Sequence, residues 1–184
     1  MKNNLTNAIF NLLNKKPHVI IAIDGRCAAG KTTMAQELKK VLNCNVISAD
    51  SFFLRPEQRT EERLKEAGGN IDYERLENEV LIPLLNGQAF KYRPYNCKTQ
   101  SLSAPIAVEP NRINIIEGSY SCNPHLIKFY DYKVFMTVDK EEQLRRIEKR
   151  NGIEGLKIFK DKWIPLEEKY FEECKIKELC NLVL

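Results

Sequence analysis

A glycine-rich stretch, GRCAAGKT at residues 25–32, matches the pattern G-x-x-x-x-G-K-[ST]. Glycines allow such a loop to curl until its backbone N–H groups converge on phosphate oxygens, and the following helix adds the positive end of its dipole. In this chemistry Lys31 reaches the outer phosphates and the Thr32 hydroxyl is a ligand of Mg²⁺. We therefore predict a site for a nucleoside triphosphate and for Mg²⁺. The residues expected to contact the nucleotide are Gly25, Arg26, Cys27, Ala28, Ala29, Gly30, Lys31, Thr32 and Thr33.

Three acids follow predicted strands, at the end of a parallel sheet where chemistry gathers. Asp50 can accept the proton of an attacking hydroxyl or hold Mg²⁺ through water, and its alternative role is a helix N-cap. Glu117 is expected to hold Mg²⁺ together with Thr32, with a capping role as the alternative. Asp139 begins a charged helix, which favours a plain N-cap. Asp50 and Glu117 are therefore the candidate catalytic and metal-binding acids.

The phosphate loop requires a buried strand before it and a helix after it, and the sequence indicates both. Residues 18–23 (HVIIAI) form a nearly continuous apolar run, typical of a strand buried on both faces. Other strands are predicted at 45–48, 112–116, 132–138 and 180–184, and helices at 31–42, 73–86, 140–151 and through most of 153–178. Alternating strands and helices predict an α/β fold, the P-loop NTPase three-layer α/β/α arrangement with a mostly parallel sheet.

We expect one domain over residues 1–184, because the chain has no internal repeat and no low-complexity linker. Two extended segments around 91–95 and 105–110 could pair as a flap on the acceptor side, at about 88–110. A lid is expected at about 145–165, where charged residues crowd a predicted helix.

Composition limits the partners. The 29 basic and 25 acidic residues give a net charge of +4 spread along the chain, which suits an anionic ligand but argues against a nucleic-acid partner. No apolar run reaches about 18 residues, so no membrane partner is predicted. The six cysteines form neither a CxxC pair nor a Cys/His cluster, which predicts a reduced, cytoplasmic protein without a zinc site. Monomer and homo-oligomer remain equally open.

Missing motifs separate the protein classes that share this loop. The [NT]-K-x-D base reader and the D-x-x-G switch of GTPases are absent, and 184 residues are few for a motor. This favours a kinase that passes the γ-phosphate to a hydroxyl of a small molecule. A nucleotide hydrolase or switch remains the alternative from a different class.

The segments GRCAAGKTT, ISADSFFLR, NIDYERL, KYRPYNCKTQ and IIEGSYS together resemble the uridine kinase family, relatives of phosphoribulokinase and pantothenate kinase. The resemblance implies transfer of the ATP γ-phosphate to the 5′-hydroxyl of uridine or cytidine. It also implies Asp50 as general base, Glu117 on magnesium, Asp72 on the ribose hydroxyls and Tyr95 against the base.

Two departures from that family concern the acceptor. Gln100 stands where the family has a histidine five residues after the tyrosine; an amide could still read a pyrimidine edge or another group. The stretch WIPLEEKYF at 163–171 is not typical of authentic uridine kinases and resembles a looser group of uridine-kinase-like proteins. Its aromatic side chains are predicted to pack in the core. A nucleoside monophosphate or a pantothenate-like acceptor therefore stays as an alternative.

Basic residues near the predicted lid could stabilise charge on the transferring phosphate. Arg146 and Arg150 are the lid candidates, because four-residue spacing places them on one helix face. The competing interpretation is a solvated helix with the pairs Glu141/Arg145 and Glu142/Arg146. On the acceptor side Arg93 is the predicted substrate ligand; if two of Arg55, Arg59 and Arg93 converge, a phosphorylated acceptor becomes plausible.

Overall fold

The computed structural model describes residues 2–184. Its strands are β1 (Val19–Gly25), β2 (Asn45–Ser48), β3 (Phe90–Tyr92), β4 (Tyr95–Asn96), β5 (Ser101–Leu102), β6 (Ile106–Val108), β7 (Ile113–Glu117), β8 (Tyr132–Met136) and β9 (Leu182–Val183). Its α-helices are α1 (Lys2–Leu13), α2 (Lys31–Val41), α3 (Glu61–Lys65), α4 (Tyr73–Leu76), α5 (Ile82–Leu85), α6 (Lys140–Ile158), α7 (Ile164–Glu173) and α8 (Ile176–Leu179). Short 3₁₀ turns lie at Ala49–Phe52, Pro56–Gln58 and Ile127–Phe129.

The central sheet has five parallel strands in the order β2-β7-β1-β8-β9. In its register Ile23 of β1 is opposite Glu117 of β7, and Ser48 of β2 is opposite the same Glu117. The carboxyl ends of three neighbouring strands therefore meet at one edge. That edge is where an open parallel sheet binds its ligand.

Both faces of this sheet are covered. Along β1, Val19, Ile21 and Ile23 belong to one core, with Leu5 of α1 and Leu38 of α2. Ile20 and Ala22 point the other way, into a core with side chains of α4, α7 and the turn after β2. This alternation is the period of a strand, and burial on both sides explains the apolar run. The predicted three-layer α/β/α fold is confirmed.

Two helical runs contain a π-helical segment. Glu77–Leu81 joins α4 to α5, and Phe159–Trp163 joins α6 to α7. In each case a proline, Pro83 or Pro165, is the second residue of the following helix. Proline lacks an N–H and clashes with the carbonyl four residues before it, so the helix widens just ahead of it. The single helix predicted over 73–86 is therefore interrupted, a feature that apolar spacing does not reveal.

The other predicted elements differ from the observed ones mainly in extent. Segments 90–92 and 106–108 pair antiparallel, as do 95–96 and 101–102, within the predicted flap. The last strand is shorter than predicted and contains only Leu182 and Val183. Gly152, with φ 72° and ψ 179°, breaks the helix predicted to end near it, and a second helix continues directly. Single-domain organisation, flap and lid stay predictions.

Within residues 2–184, helices that combine the length and the apolar character needed to cross a bilayer do not occur.

Candidate active site

The phosphate loop is curled against strand β8. Gly25 has φ 128°, and a Cβ placed there would lie 1.9 Å from the carbonyl oxygen of Met136. The N–H of Arg26 donates to that same carbonyl at 3.0 Å. Gly30, with φ 97°, is the N-cap of α2. Only a residue without a side chain fits the first of these positions, which explains the glycine that opens the motif.

Lys31 folds back over this loop. Its side chain is 8% exposed, and Nζ donates to the carbonyl oxygens of Gly25 at 2.7 Å and Arg26 at 2.9 Å. A third bond reaches Oγ of Ser119 at 3.3 Å. These contacts place the ammonium group at the loop opening, where it can meet the outer phosphates.

Thr32 and Glu117, two of the predicted ligands of Mg²⁺, are hydrogen-bonded to each other. The Thr32 hydroxyl donates to Oε2 of Glu117 at 3.0 Å, and Glu117 is only 3% exposed. Hydroxyl and carboxylate oxygens are the ligands that Mg²⁺ prefers. Among residues 2–184 no group of three or more His, Cys, Asp and Glu side chains forms a cage for a metal. The donor set fits Mg²⁺, which keeps several waters and takes further oxygens from substrate phosphates.

Asp50 lies in the 3₁₀ turn that follows β2, beside the end of β7. Its Oδ1 is so close to Gly118 that a Cβ on that glycine would lie 3.0 Å away. The N-cap of the turn is Ser48, so Asp50 does not have the capping role considered above. Its side chain is exposed to the cleft, and partial desolvation by the surrounding walls raises its pKa to about 6. Lys31 opposes this shift, while the Glu117 carboxylate adds to it.

One cleft of about 830 Å³ contains the phosphate loop and these acids. Ligand sites of about 300–1,000 Å³ are typical, so the volume allows a nucleotide and a second small molecule. Residues of the loop and of the strand ends line one part of it: Cys27, Ala28, Gly30, Lys31, Thr32, Thr33, Asp50, Glu117, Gly118 and Ser119. Side chains from the segment after β2 and from the lid region line the remainder: Phe53, Arg59, Leu64, Glu66, Asn70, Arg146, Arg150, Phe159, Trp163, Leu166, Glu167 and Lys169, among others.

Both lid arginines line this cleft, whereas Arg145 is not among the residues that do. Arg146 donates to Glu142 at 2.7 Å and to the carbonyl of Ala28 in the phosphate loop at 3.1 Å. Arg145 bonds only Glu142, at 2.6 and 2.7 Å, within the contacts of the described residues. Arg150 donates to Asn151 at 2.8 Å and is close enough to Asp50 to lower its pKa. The helix therefore has both predicted features: Arg146 pairs with Glu142, and Arg146 and Arg150 also line the cleft.

A family model described as Phosphoribulokinase / Uridine kinase family matches residues 20–152. The chain belongs to this family. Human nicotinamide riboside kinase 1 is 35% identical over 132 residues, which cover 69% of this chain and 62% of that protein. The uridine kinase of Ureaplasma parvum is 29% identical over 143 residues, covering 73% and 69%. The matched region thus spans less than two thirds of the human relative.

A solved structure shares this fold over nearly the whole length of the chain. A possible uridine kinase from Bacillus stearothermophilus superposes with a TM-score of 0.71 and 18% identity, covering 98% of this chain and 99% of that one. Membership of the phosphoribulokinase/uridine kinase family confirms the resemblance and supports a small-molecule kinase.

Four residues that we predicted to bind the acceptor do not line the cleft. Asp72 is buried, caps α4 through the N–H of Arg75 at 3.1 Å, and accepts from Gln58 at 2.7 Å. Tyr95 is also buried, and no described residue bonds its hydroxyl. Arg93 precedes β4 and donates to the carbonyls of Ser103 and Leu102, and Gln100 is an exposed residue of the β4–β5 turn with φ 52°. Their roles toward an acceptor stay predictions.

The three acceptor-side arginines do not converge. Arg59 lines the cleft and donates to the Leu54 carbonyl, Arg55 contacts Gln58 and Glu57, and Arg93 donates to the Leu102 and Ser103 carbonyls. The structure thus gathers no pair of these guanidinium groups for a phosphorylated acceptor.

Two residues near the loop lysine were missed by sequence reasoning. Ser119 lies inside the IIEGSYS segment, two residues after Glu117, and Glu167 lies inside the unusual WIPLEEKYF stretch. Tyr170 and Phe171 of that stretch pack in the core as predicted, but Trp163 lies at the cleft wall. The one sequence signal for Glu167 was that residues 163–171 are not typical of uridine kinases. No spacing rule connects that segment to the phosphate loop.

Proposed function

We propose that this chain is a magnesium-dependent kinase that transfers the γ-phosphate of ATP to the 5′-hydroxyl of a ribonucleoside. One observation supports it most: the Asp50 carboxylate, the Lys31 ammonium group and the Thr32–Glu117 pair face the same cleft. A phosphate site and a proton acceptor in one space are the requirements of phosphoryl transfer to a hydroxyl. Free thiols at all six cysteines suit a cytoplasmic enzyme.

Each side chain then has one task. Asp50, with a pKa of about 6, is mostly ionised near neutral pH and accepts the proton of the attacking hydroxyl. Lys31 binds the outer phosphate oxygens, and Arg146 and Arg150 compensate charge that develops on the transferred group. Thr32 and Glu117 would hold Mg²⁺, which neutralises phosphate charge when bound.

The choice of acceptor rests on the relatives and on the cleft. The names of the two curated relatives specify nicotinamide riboside and uridine, which are both ribosides. The cleft wall beyond Asp50 contains Phe53 and Asn70, an aromatic face and an amide that suit a heterocyclic base. A pyrimidine nucleoside, uridine or cytidine, is our first acceptor, and nicotinamide riboside is the second.

The test is phosphate transfer from ATP to uridine, cytidine, nicotinamide riboside, a nucleoside monophosphate and pantothenate. Wild-type protein and Asp50→Asn are compared with Asp139→Asn, a matched strand-end variant whose side chain can still cap α6. We expect a phosphorylated riboside, lost with Asp50→Asn and retained with Asp139→Asn. ATP hydrolysis without any acceptor would instead establish the hydrolase or switch, and full transfer by Asp50→Asn would disprove the catalytic assignment.

A further inference from the structure

Helix α7 is fastened to the first half of the phosphate loop by three of its side chains. The Tyr170 hydroxyl donates to Oδ2 of Asp24 at 2.8 Å, just before the loop. Glu168 forms an ion pair with the Arg26 guanidinium, with Nε 3.0 Å from Oε1, and accepts a hydrogen bond from Nη2 at 3.1 Å. Glu167 accepts from the backbone N–H of Cys27 at 2.9 Å. One short helical stretch thus contacts three of four consecutive residues, 24–27.

Glu167 has a second contact that leads to the loop lysine. Its Oε1 accepts the Ser119 hydroxyl proton at 2.6 Å, and Ser119 Oγ accepts from Nζ of Lys31 at 3.3 Å. A serine hydroxyl has a single proton, so donation to Glu167 turns its lone pairs toward Lys31. The carboxylate therefore sets the orientation of a hydroxyl that Lys31 uses.

Burying the Glu167 carboxylate costs free energy that its hydrogen bonds must offset. Glu167 is 4% exposed, and a buried carboxylate must be hydrogen-bonded to be tolerated. Both of its oxygens have a partner, and neither partner is a cation. The charge of Glu167 also acts on the loop. Burial of the Cys27 thiol and, second to it, the Glu167 carboxylate raise the pKa of that thiol to about 12.

We propose that Glu167 is a positioning residue for phosphoryl transfer: it orients the Ser119 hydroxyl toward Lys31 and holds the Cys27 N–H, so that the phosphate loop keeps its curl. Because α7 is continuous, through Phe159–Trp163, with the part of α6 that follows the break at Gly152, the same contacts attach the loop to residues 153–163 of the predicted lid. The assignment rests on the proposed kinase function.

The kinetic test uses Glu167→Gln, Ser119→Ala, the double variant and Glu172→Gln. The control removes an equal charge from an exposed position of the same helix. Displacing a positioned group costs about 10- to 100-fold in rate. We expect that loss in kcat for Glu167→Gln, a KM for the acceptor near the wild-type value, and no change for Glu172→Gln. The double variant should lose little more than the worse single variant, because both interrupt one chain of contacts.

Wild-type kcat in both single variants would overturn the inference, as would fully additive losses in the double variant. A second measurement does not need turnover: amide hydrogen exchange at Cys27, followed by NMR in wild type, Glu167→Gln and Glu172→Gln. Faster exchange in Glu167→Gln alone supports the contact, and equal rates overturn it. If the wild type phosphorylates no acceptor, the proposed function fails while this exchange measurement still decides the role of Glu167 in the loop.

Discussion

The hydroxyl of Thr32 lies 3.0 Å from Oε2 of Glu117, although the two residues are 85 positions apart in the sequence. The sheet explains the contact, since β1 and β7 are parallel neighbours and Ile23 is opposite Glu117. The phosphate loop begins where β1 ends, so its threonine is carried to the acid at the end of β7. A loop residue and a strand residue thereby form one oxygen-donor pair.

Glu117→Gln tests this pair. Replacing the carboxylate by an amide removes the charge that favours Mg²⁺, so we expect kcat to fall by about 100-fold and the Mg²⁺ requirement to rise. Steady-state rates over a Mg²⁺ titration measure both effects, and chelation should abolish turnover in the wild type. The exposed Glu109→Gln is the control. An unchanged Mg²⁺ dependence in Glu117→Gln would disprove the metal assignment.

The pH profile tests Asp50 as general base. A base acts only when ionised, and the pKa of Asp50 is raised to about 6 by partial desolvation in the cleft and by the charges of Glu117 and Glu167. We expect kcat/KM to rise as pH increases through about 6 and to level off above it. Asp50→Asn should lower kcat by about 100- to 10,000-fold and lose this limb. A profile that is flat between about pH 5 and 8 would contradict the assignment.

Stability should change in the direction opposite to activity. The folded state holds the Asp50 proton with a pKa of about 6 against an ordinary 3.8, so ionising the group disfavours the folded state. The stability that protonated Asp50 provides is complete below 3.8 and is lost as pH rises to about 6. Asp50→Asn should therefore melt at a higher temperature than wild type near neutral pH, with a difference that shrinks toward acid. Thermal unfolding at several pH values checks this, and a lower Tm at neutral pH would contradict it.

Arg150 and Arg145 provide a matched pair on one helix. Arg150 lines the cleft, whereas Arg145 bonds Glu142 outside it. A guanidinium group on the transferring phosphate is worth about 10³-fold or more in kcat. We expect a loss approaching that size for Arg150→Ala and less than about twofold for Arg145→Ala, because exposed ion pairs contribute little. Similar losses in both variants would favour a purely structural helix.

Gly25→Ala tests the curl of the phosphate loop. A Cβ would lie 1.9 Å from the Met136 carbonyl, with φ at 128°, so the backbone itself must move. Gly87 also has a positive φ, 62°, but a Cβ there meets nothing within 4 Å. Gly87→Ala should cost about 1–2 kcal/mol in the free energy of unfolding, the penalty of the left-handed conformation alone. Gly25→Ala should cost more and abolish nucleotide binding, and equal costs in denaturant titrations would contradict this.

Several features of the site could be predicted from the sequence because their signals are local. The phosphate loop is a contiguous motif between an apolar strand and a helix. Asp50 and Glu117 each follow an apolar run, and parallel strands place such ends at one edge. Arg146 and Arg150 share a helix face through their spacing alone. The lid π-helix and the exact extent of β9 depend on packing and could not be predicted in this way.

The contact of Glu167 with the Cys27 N–H joins residues 140 positions apart, and only the tertiary structure determined it. In sequence, a glutamate in a charged helical stretch is indistinguishable from one in solvent; its burial requires α7 to cross the phosphate loop. The same holds for Asp72, whose carboxylate does not line the cleft. It accepts hydrogen bonds from the backbone N–H of Arg75 and the side-chain amide of Gln58. The sequence by itself determined the fold class, predicted the phosphate loop and located the acids at the strand ends, because periodicity and short motifs encode these features. Which carboxylates face the cleft was decided by the packing of distant elements.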